Sequence, residues 1–172
     1  MSCPVRCVVD TNVAVTSNGV HPGASPSCIL SSAKALQAIM QAGHLFIDHG
    51  GQIVAEYRAN LSAKGQPGPG DAFLKWLLTN EWGGRRVTRV PLTAKPADPS
   101  DFVELPAPPA GVRYDPSDRK FLAVAAAHAT HPPVLQSLDS KWWGWVAALN
   151  GAGVSIHFLC PEIAQKYAEK MG

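Results

Sequence analysis

Three aspartates, Asp10, Asp48 and Asp139, each stand directly after a short apolar run of the kind that fills the centre of a sheet. In an open α/β sheet, ligands bind beyond the carboxyl ends of the strands, where the strand order reverses. Asp10 and Asp139 face each other there if the strands that they close are neighbours. Glu56 falls in the first turns of the helix after the Asp48 run, at the same edge. Asp118 opens the helix ahead of the Asp139 strand, a position expected at the opposite edge unless the connection returns across the site. Gathered carboxylates raise one another's pKa, so proteins collect them where a cation is bound. Carboxylates without His or Cys partners select hard ions such as Mg²⁺ or Mn²⁺. Such ions align a water for in-line attack at phosphorus and neutralise the leaving oxygen.

The elements that must position these acids alternate along the chain. CysValValAsp at 7–10, LeuPheIle at 45–47, and residues 85–92, 134–138 and 154–159 read as short strands. Nearly uninterrupted apolar runs of this kind suit strands covered on both faces. Between them lie helical stretches: 25–42, with Ile29, Leu36 and Ile39 at helical spacing and Gly43 as a stop; 53–61; 72–80; 118–130; 142–149; and a polar C-terminal helix. Residues 62–71 are a Gly/Pro loop, and 93–117 is a second, Pro-rich stretch without periodicity, long enough to be functional or mobile. The alternation argues an α/β fold with a mostly parallel sheet, in one domain over 1–172 and without internal repeats.

Composition bounds the function classes. Hydrophobic residues make up 46% of the 172 positions and charged ones 16%, which excludes a disordered or coiled-coil chain. No stretch approaches the ~20 apolar residues of a membrane span. A net charge of +2 singles out no class of partner. Cys3, Cys7, Cys28 and Cys160 form no CxxC pair and are read as free thiols. Arg6 and Asp10 interrupt what would be the apolar segment of a signal peptide, so a cytoplasmic protein is expected. His128 and His131 lack helical zinc spacing and are read as structural or exposed.

ValValAspThrAsnVal at 8–13 resembles the opening strand and motif of PIN-domain nucleases. The resemblance continues through Glu56 in IVAEYRANL, AspProSerAsp at 115–118 with the helix after it, and SerLeuAsp at 137–139, covering nearly the whole chain. The chain looks most like the bacterial PIN proteins that serve as toxin components of toxin–antitoxin pairs, relatives of the VapC toxins. The resemblance implies a three-layer α/β/α sandwich with a central five-stranded sheet, and a loop that brings the helix-opening Asp118 into the site. It implies a metal-dependent endoribonuclease acting on single-stranded RNA, leaving 5′-phosphate and 3′-hydroxyl ends without a covalent intermediate. Asp10, Glu56, Asp118 and Asp139 match the family's acidic quartet, which holds Mg²⁺ or Mn²⁺. Ser137 falls where the family often has Thr or Ser, and Asn12 matches the Asn of the opening motif, where it shapes the turn. An antitoxin protein and a homodimer are the partners implied. The chain departs from the pattern where Lys141 and Trp142 follow Ser140, since the family often has another acid there. Its long loops also exceed those of the compact toxins.

Other roles compete for some of these residues. Asp115 as N-cap with Pro116 at N1 is good capping chemistry for the helix that Asp118 opens. Asp139 has a rival role as cap of the Trp-rich helix. Asp48 and Asp115 are candidates to support the site from an outer shell, though turn and capping roles suit them better, and His49 suits a turn. Arg58, Lys64, Arg85, Arg86, Arg89, Arg113, Arg119 and Lys120 form either a rim that tracks phosphates or a solvated surface. Trp142, Trp143 and Trp145 at alternating helical positions mean packing for most, with at most one or two left to stack on bases or meet a partner. The alternative function is a PIN fold that no longer cleaves and binds RNA or protein. A phosphatase with Asp10 as nucleophile would want Asp two residues later, where Asn12 stands.

Overall fold

A computed structural model describes residues 2–64, 67–160 and 162–172. Its centre is a five-stranded, all-parallel sheet in the order β3-β2-β1-β6-β7. The strands are β1 (Arg6–Val9), β2 (His44–Asp48), β3 (Val87–Val90), β6 (Val134–Gln136) and β7 (Ile156–Phe158). Among the described residues, seven helices flank the sheet in a three-layer α/β/α arrangement: α1 (Thr11–Ser17), α2 (Pro26–Ala42), α3 (Gln52–Asn60), α4 (Pro69–Asn80), α5 (Arg119–Ala127), α6 (Lys141–Gly151) and α7 (Ile163–Met171).

β1 is central because after the exposed Arg6 it is wholly apolar: Cys7, Val8 and Val9 are fully buried between the helical layers. It pairs with β2 through Cys7 and Leu45, and with β6 through Val9 and Leu135. The chain therefore moves outward from β1 to β3, then crosses back to β6 and β7. The order reverses between β1 and β6, the place where open α/β sheets bind ligands. α5 packs on β1, β2 and β6, burying Ala123 and Ala125 beside Phe121, Leu122 and Val124. Small side chains let this helix lie close on the sheet.

Several expectations are corrected. Residues 11–17, unassigned from sequence, form α1, because the Asp10 side chain accepts the Asn12 N–H at 2.9 Å and starts a helix. Residues 69–71 of the expected loop belong to α4, opened by Pro69 and by Asp71 reaching back to the Gly68 N–H. Gly65 and Gln66, in the same expected loop, lie outside the described residues. The stretch 93–117 is not structureless, since β4 (Ala94–Lys95) and β5 (Asp98–Phe102) make an antiparallel hairpin within it. Ion pairs Lys95–Asp101 and Asp98–Arg119, both at 2.9 Å, fasten that hairpin to itself and to the start of α5. Cys28 and Cys160 are not free thiols. They form a disulfide across 132 residues, with Cα atoms 4.7 Å apart, while Cys3 and Cys7 remain free. Among the described residues, no helix is long and apolar enough to cross a membrane.

Candidate functional site

The carboxyl ends of β1 and β6 open into a cleft of about 300 Å³ lined by Asp10, Asn12, Glu56, Asp118, Asp139 and Lys141, among others. All four acids of the expected quartet reach it. Asp10 leaves β1 with its backbone N–H on the Leu135 carbonyl, so the β1–β6 pairing carries on to the acid itself. Its carboxylate caps α1. Glu56 projects from α3, which is anchored beneath the sheet end by the Tyr57 hydroxyl donating to the Val9 carbonyl. Asp139 follows the end of β6 by three residues.

Asp118 stands at the same edge as the others, as the resemblance implies, but for a different reason. α5 descends between two parallel strands and must run antiparallel to them, so its first turn begins at their carboxyl ends. No returning loop is required. Asp118, not Asp115, occupies the N-cap of α5, with Asp118 N–H bonded to the Asp115 carbonyl at 2.9 Å. The Asp115 carboxylate turns instead to the Lys141 ammonium. Asp139 also falls short of being the cap of α6, because Ser140 takes that position.

Asn12 and Ser137 support the cleft from behind. The Asn12 side-chain oxygen accepts the Ser137 N–H at 3.2 Å, tying the start of α1 to the end of β6. The Ser137 hydroxyl is fully buried against the Ser32 hydroxyl at 2.7 Å and faces α2, away from the acids. Asp48, the third strand-end aspartate, has a structural role. Its two oxygens accept the Gln52 and Ile53 N–H groups, each at 2.8 Å, and start α3.

The electrostatics of the cleft are lopsided. Asp10 is 5% exposed, and burial, followed by the Asp118 carboxylate, pushes its pKa up to about 8 even though the Asn12 N–H favours the charged form. Glu56 and Asp139 add to that push. Burial also raises Asp118, against the opposing pull of Lys141. Two lysines supply the local positive charge. Lys120, almost wholly buried in α5, meets Glu56 and the Ser117 carbonyl. Lys141 Nζ lies 2.9 Å from Asp118 and 2.9 Å from Asp139, and also meets Asp115. Partial burial works against the charge on Lys141, but the three carboxylates hold its proton well above the ordinary lysine range.

Four carboxylates thus share two ammonium groups, and Asp10 meets neither of them. The donors are all oxygens, the set that a hard divalent ion takes. Among the described residues, no three His, Cys, Asp or Glu side chains are grouped closely enough to hold a metal ion as they stand, because the acids are spread around the lysines. Lys120 and Lys141 as partners of the acids, and Asn60 at the cleft wall, escaped the sequence reading. The Lys120 position, two residues after Asp118 on the same helix, was the available signal.

Three residues of the expected basic rim are engaged elsewhere. Arg86 donates to the carbonyls of Ile39, Met40 and Gly43 at the end of α2, and Arg119 to the Tyr114 carbonyl and Asp98. Arg89 pairs with Glu81 at 2.7 Å. Of the three clustered tryptophans, Trp142 and Trp145 are buried and Trp143 is 41% exposed, packed on Phe158. Comparison of the chain with protein-family models, with curated proteins and with solved structures returns no match.

Proposed function

We propose that this chain is a metal-dependent endoribonuclease that hydrolyses phosphodiester bonds in single-stranded RNA. The observation that carries the proposal is the meeting of Asp10, Glu56, Asp118 and Asp139 in one cleft at the strand-order switch, with carboxylates in excess of ammonium groups. Excess buried negative charge is costly and is tolerated where a cation joins it. The same four positions carry the resemblance to PIN-domain nucleases, which adds motif to geometry.

Asp10, Glu56, Asp118 and Asp139 would hold Mg²⁺ or Mn²⁺, whose contribution is a polarised water and a neutralised leaving oxygen. The chain's own residues do the positioning. Asn12 fixes the β1 and β6 ends at a set separation, and Lys120 keeps Glu56 on the cleft wall. The openness of the cleft suits an extended strand of RNA better than a small enclosed substrate. A cytoplasmic setting, where RNA is met, belongs to the same proposal. So does a role as the toxin of a toxin–antitoxin pair, with the exposed Trp143 beside the edge strand β7 as a surface for an antitoxin or a second copy.

The test is cleavage of a mixed single-stranded RNA panel with Mn²⁺, with Mg²⁺ and with EDTA, beside Asp118→Asn. Cutting that needs the ion and Asp118 is expected. A second reading, a non-cleaving PIN-like subunit that binds RNA or protein, draws on the lysines already seated on Glu56, Asp118 and Asp139. Absence of both cleavage and calorimetric metal binding selects that second reading.

A further inference from the structure

We infer that Lys141 is a resident counter-cation of the cleft, which a divalent ion must displace from Asp118 and Asp139 before it can bind them. The inference rests on the proposed metal-dependent reading of the cleft and adds a control on it.

The two lysines differ in how they are held. Lys120 lies within the buried face of α5, its side chain 7% exposed, against Glu56 and the Ser117 carbonyl. Lys141 is the first residue of α6, and its side chain is 34% exposed. A cation at a helix N-terminus faces the positive end of the helix dipole, so α6 itself gives no reason for the ammonium to stay there. What holds it is the carboxylates: Asp115 is the nearest of them, and Asp118 and Asp139 lie at 2.9 Å each. Its chain also lies near the Trp145 ring, one turn along, with Nζ 5.8 Å from the ring centroid. Lys141 can therefore swing to solvent at the loss of ion pairs alone, without opening the core.

The same geometry sets ion and ammonium in competition. Lys141 Nζ engages one oxygen of Asp118 and one of Asp139, and a hard cation held by these two residues would compete for that negative charge. A divalent ion brings twice the charge to the same oxygens and wins, but its net affinity is lowered by the ion pairs that it breaks. Metal occupancy then depends on where the Lys141 side chain sits, so the lysine sets the ion concentration at which the cleft becomes loaded.

The experiment is a Mn²⁺ titration, by calorimetry and by loss of the free-ion electron spin resonance signal, of the wild type, Lys141→Met and Lys141→Arg. Methionine keeps the stem against Trp145 and removes the charge; arginine keeps the charge. Binding at least about tenfold tighter in Lys141→Met, with Lys141→Arg at the wild-type value or weaker, is the expected result. Binding found only in Lys141→Met supports it equally. Equal or weaker binding by Lys141→Met, with the wild type binding, overturns the inference and leaves the metal reading intact. No binding by any of the three overturns both. A second measurement needs no variant: acetylation of Lys141 in the wild type, read by peptide mass spectrometry with Mg²⁺ and with EDTA. Labelling should rise several-fold with Mg²⁺, and unchanged labelling in a protein that binds Mg²⁺ counts against displacement.

Discussion

Two pockets on the same molecule treat buried charge in opposite ways. The cleft between β1 and β6 is lined, among the described residues, by four carboxyl groups and one ammonium, that of Lys141. The pocket beside β3, lined by His49, Glu81, Trp82 and Arg89, is larger, at about 440 Å³ against about 300 Å³. Yet there each buried charge is matched. Glu81 meets Arg89 at 2.7 Å, and the guanidinium lies 3.9 Å over the Trp82 ring and donates to the His49 carbonyl. A closed pair of this kind holds the end of α4 to the edge strand and asks for nothing from outside. The acid cleft is smaller but electrically incomplete. Imbalance, more than volume, marks where this protein is expected to do chemistry.

The contrast can be broken by substitution. The largest effect is expected for Asp10→Asn and Asp118→Asn, which should lower RNA cleavage by about a hundredfold or more while the circular dichroism spectrum is retained. Glu81→Gln should do the reverse. It leaves cleavage within about twofold but strands Arg89, lowering stability by about 1–3 kcal/mol in chemical denaturation. If Glu81→Gln abolishes cleavage and leaves stability alone, the two pockets have been assigned the wrong way round.

A smaller effect follows from the pKa of Asp10, which stands at about 8 in the folded chain against 3.8 in the ordinary range. Below pH 3.8 the proton is present in both states, so the acid does not weaken the fold. As pH rises towards 8 the unfolded chain releases it first, and stability falls until the folded group ionises as well. Metal-free wild type should therefore lose thermal stability from pH 4 to pH 8, and Asp10→Asn should lose less, by a few degrees at about 2–4 °C per kcal/mol. Parallel pH curves for the two proteins would remove the electrostatic imbalance from the account. The smallest perturbation is a thiol count: two reactive thiols in unfolded, non-reduced protein, rising to four after reduction. Four before reduction would restore the reading of free cysteines.

Much of this architecture was legible along the chain because it is local. The apolar run of β1 closed by Asp10 reads as a buried strand with a polar end, and the strand ahead of Asp139 was legible too, although it ends at Gln136, three residues before the acid. The helices over 26–42 and 119–127 followed from their spacing, and the Trp-rich helix keeps one tryptophan exposed, within the one or two expected. The hairpin over 94–102 escaped because its strands are two and five residues long, with Pro96 and Pro99 interrupting any alternation. Its stability comes from Arg119, far along the chain, and from the buried Phe102.

By itself, then, the sequence determined which acids end strands and which begin helices, since capping, periodicity and burial act over a few residues. Only the tertiary structure decided which acids keep an imbalance of charge. Asp48 and Asp10 occupy equivalent strand ends, but the two N–H groups of α3 satisfy one, while the other shares its cleft with Glu56, Asp118 and Asp139. The pairing of Cys28 with Cys160 and the seating of Lys141 among three carboxylates are likewise matters of which distant residues meet. Charge interactions depend on separation in space and on exclusion of water, and neither quantity is written in the order of the residues.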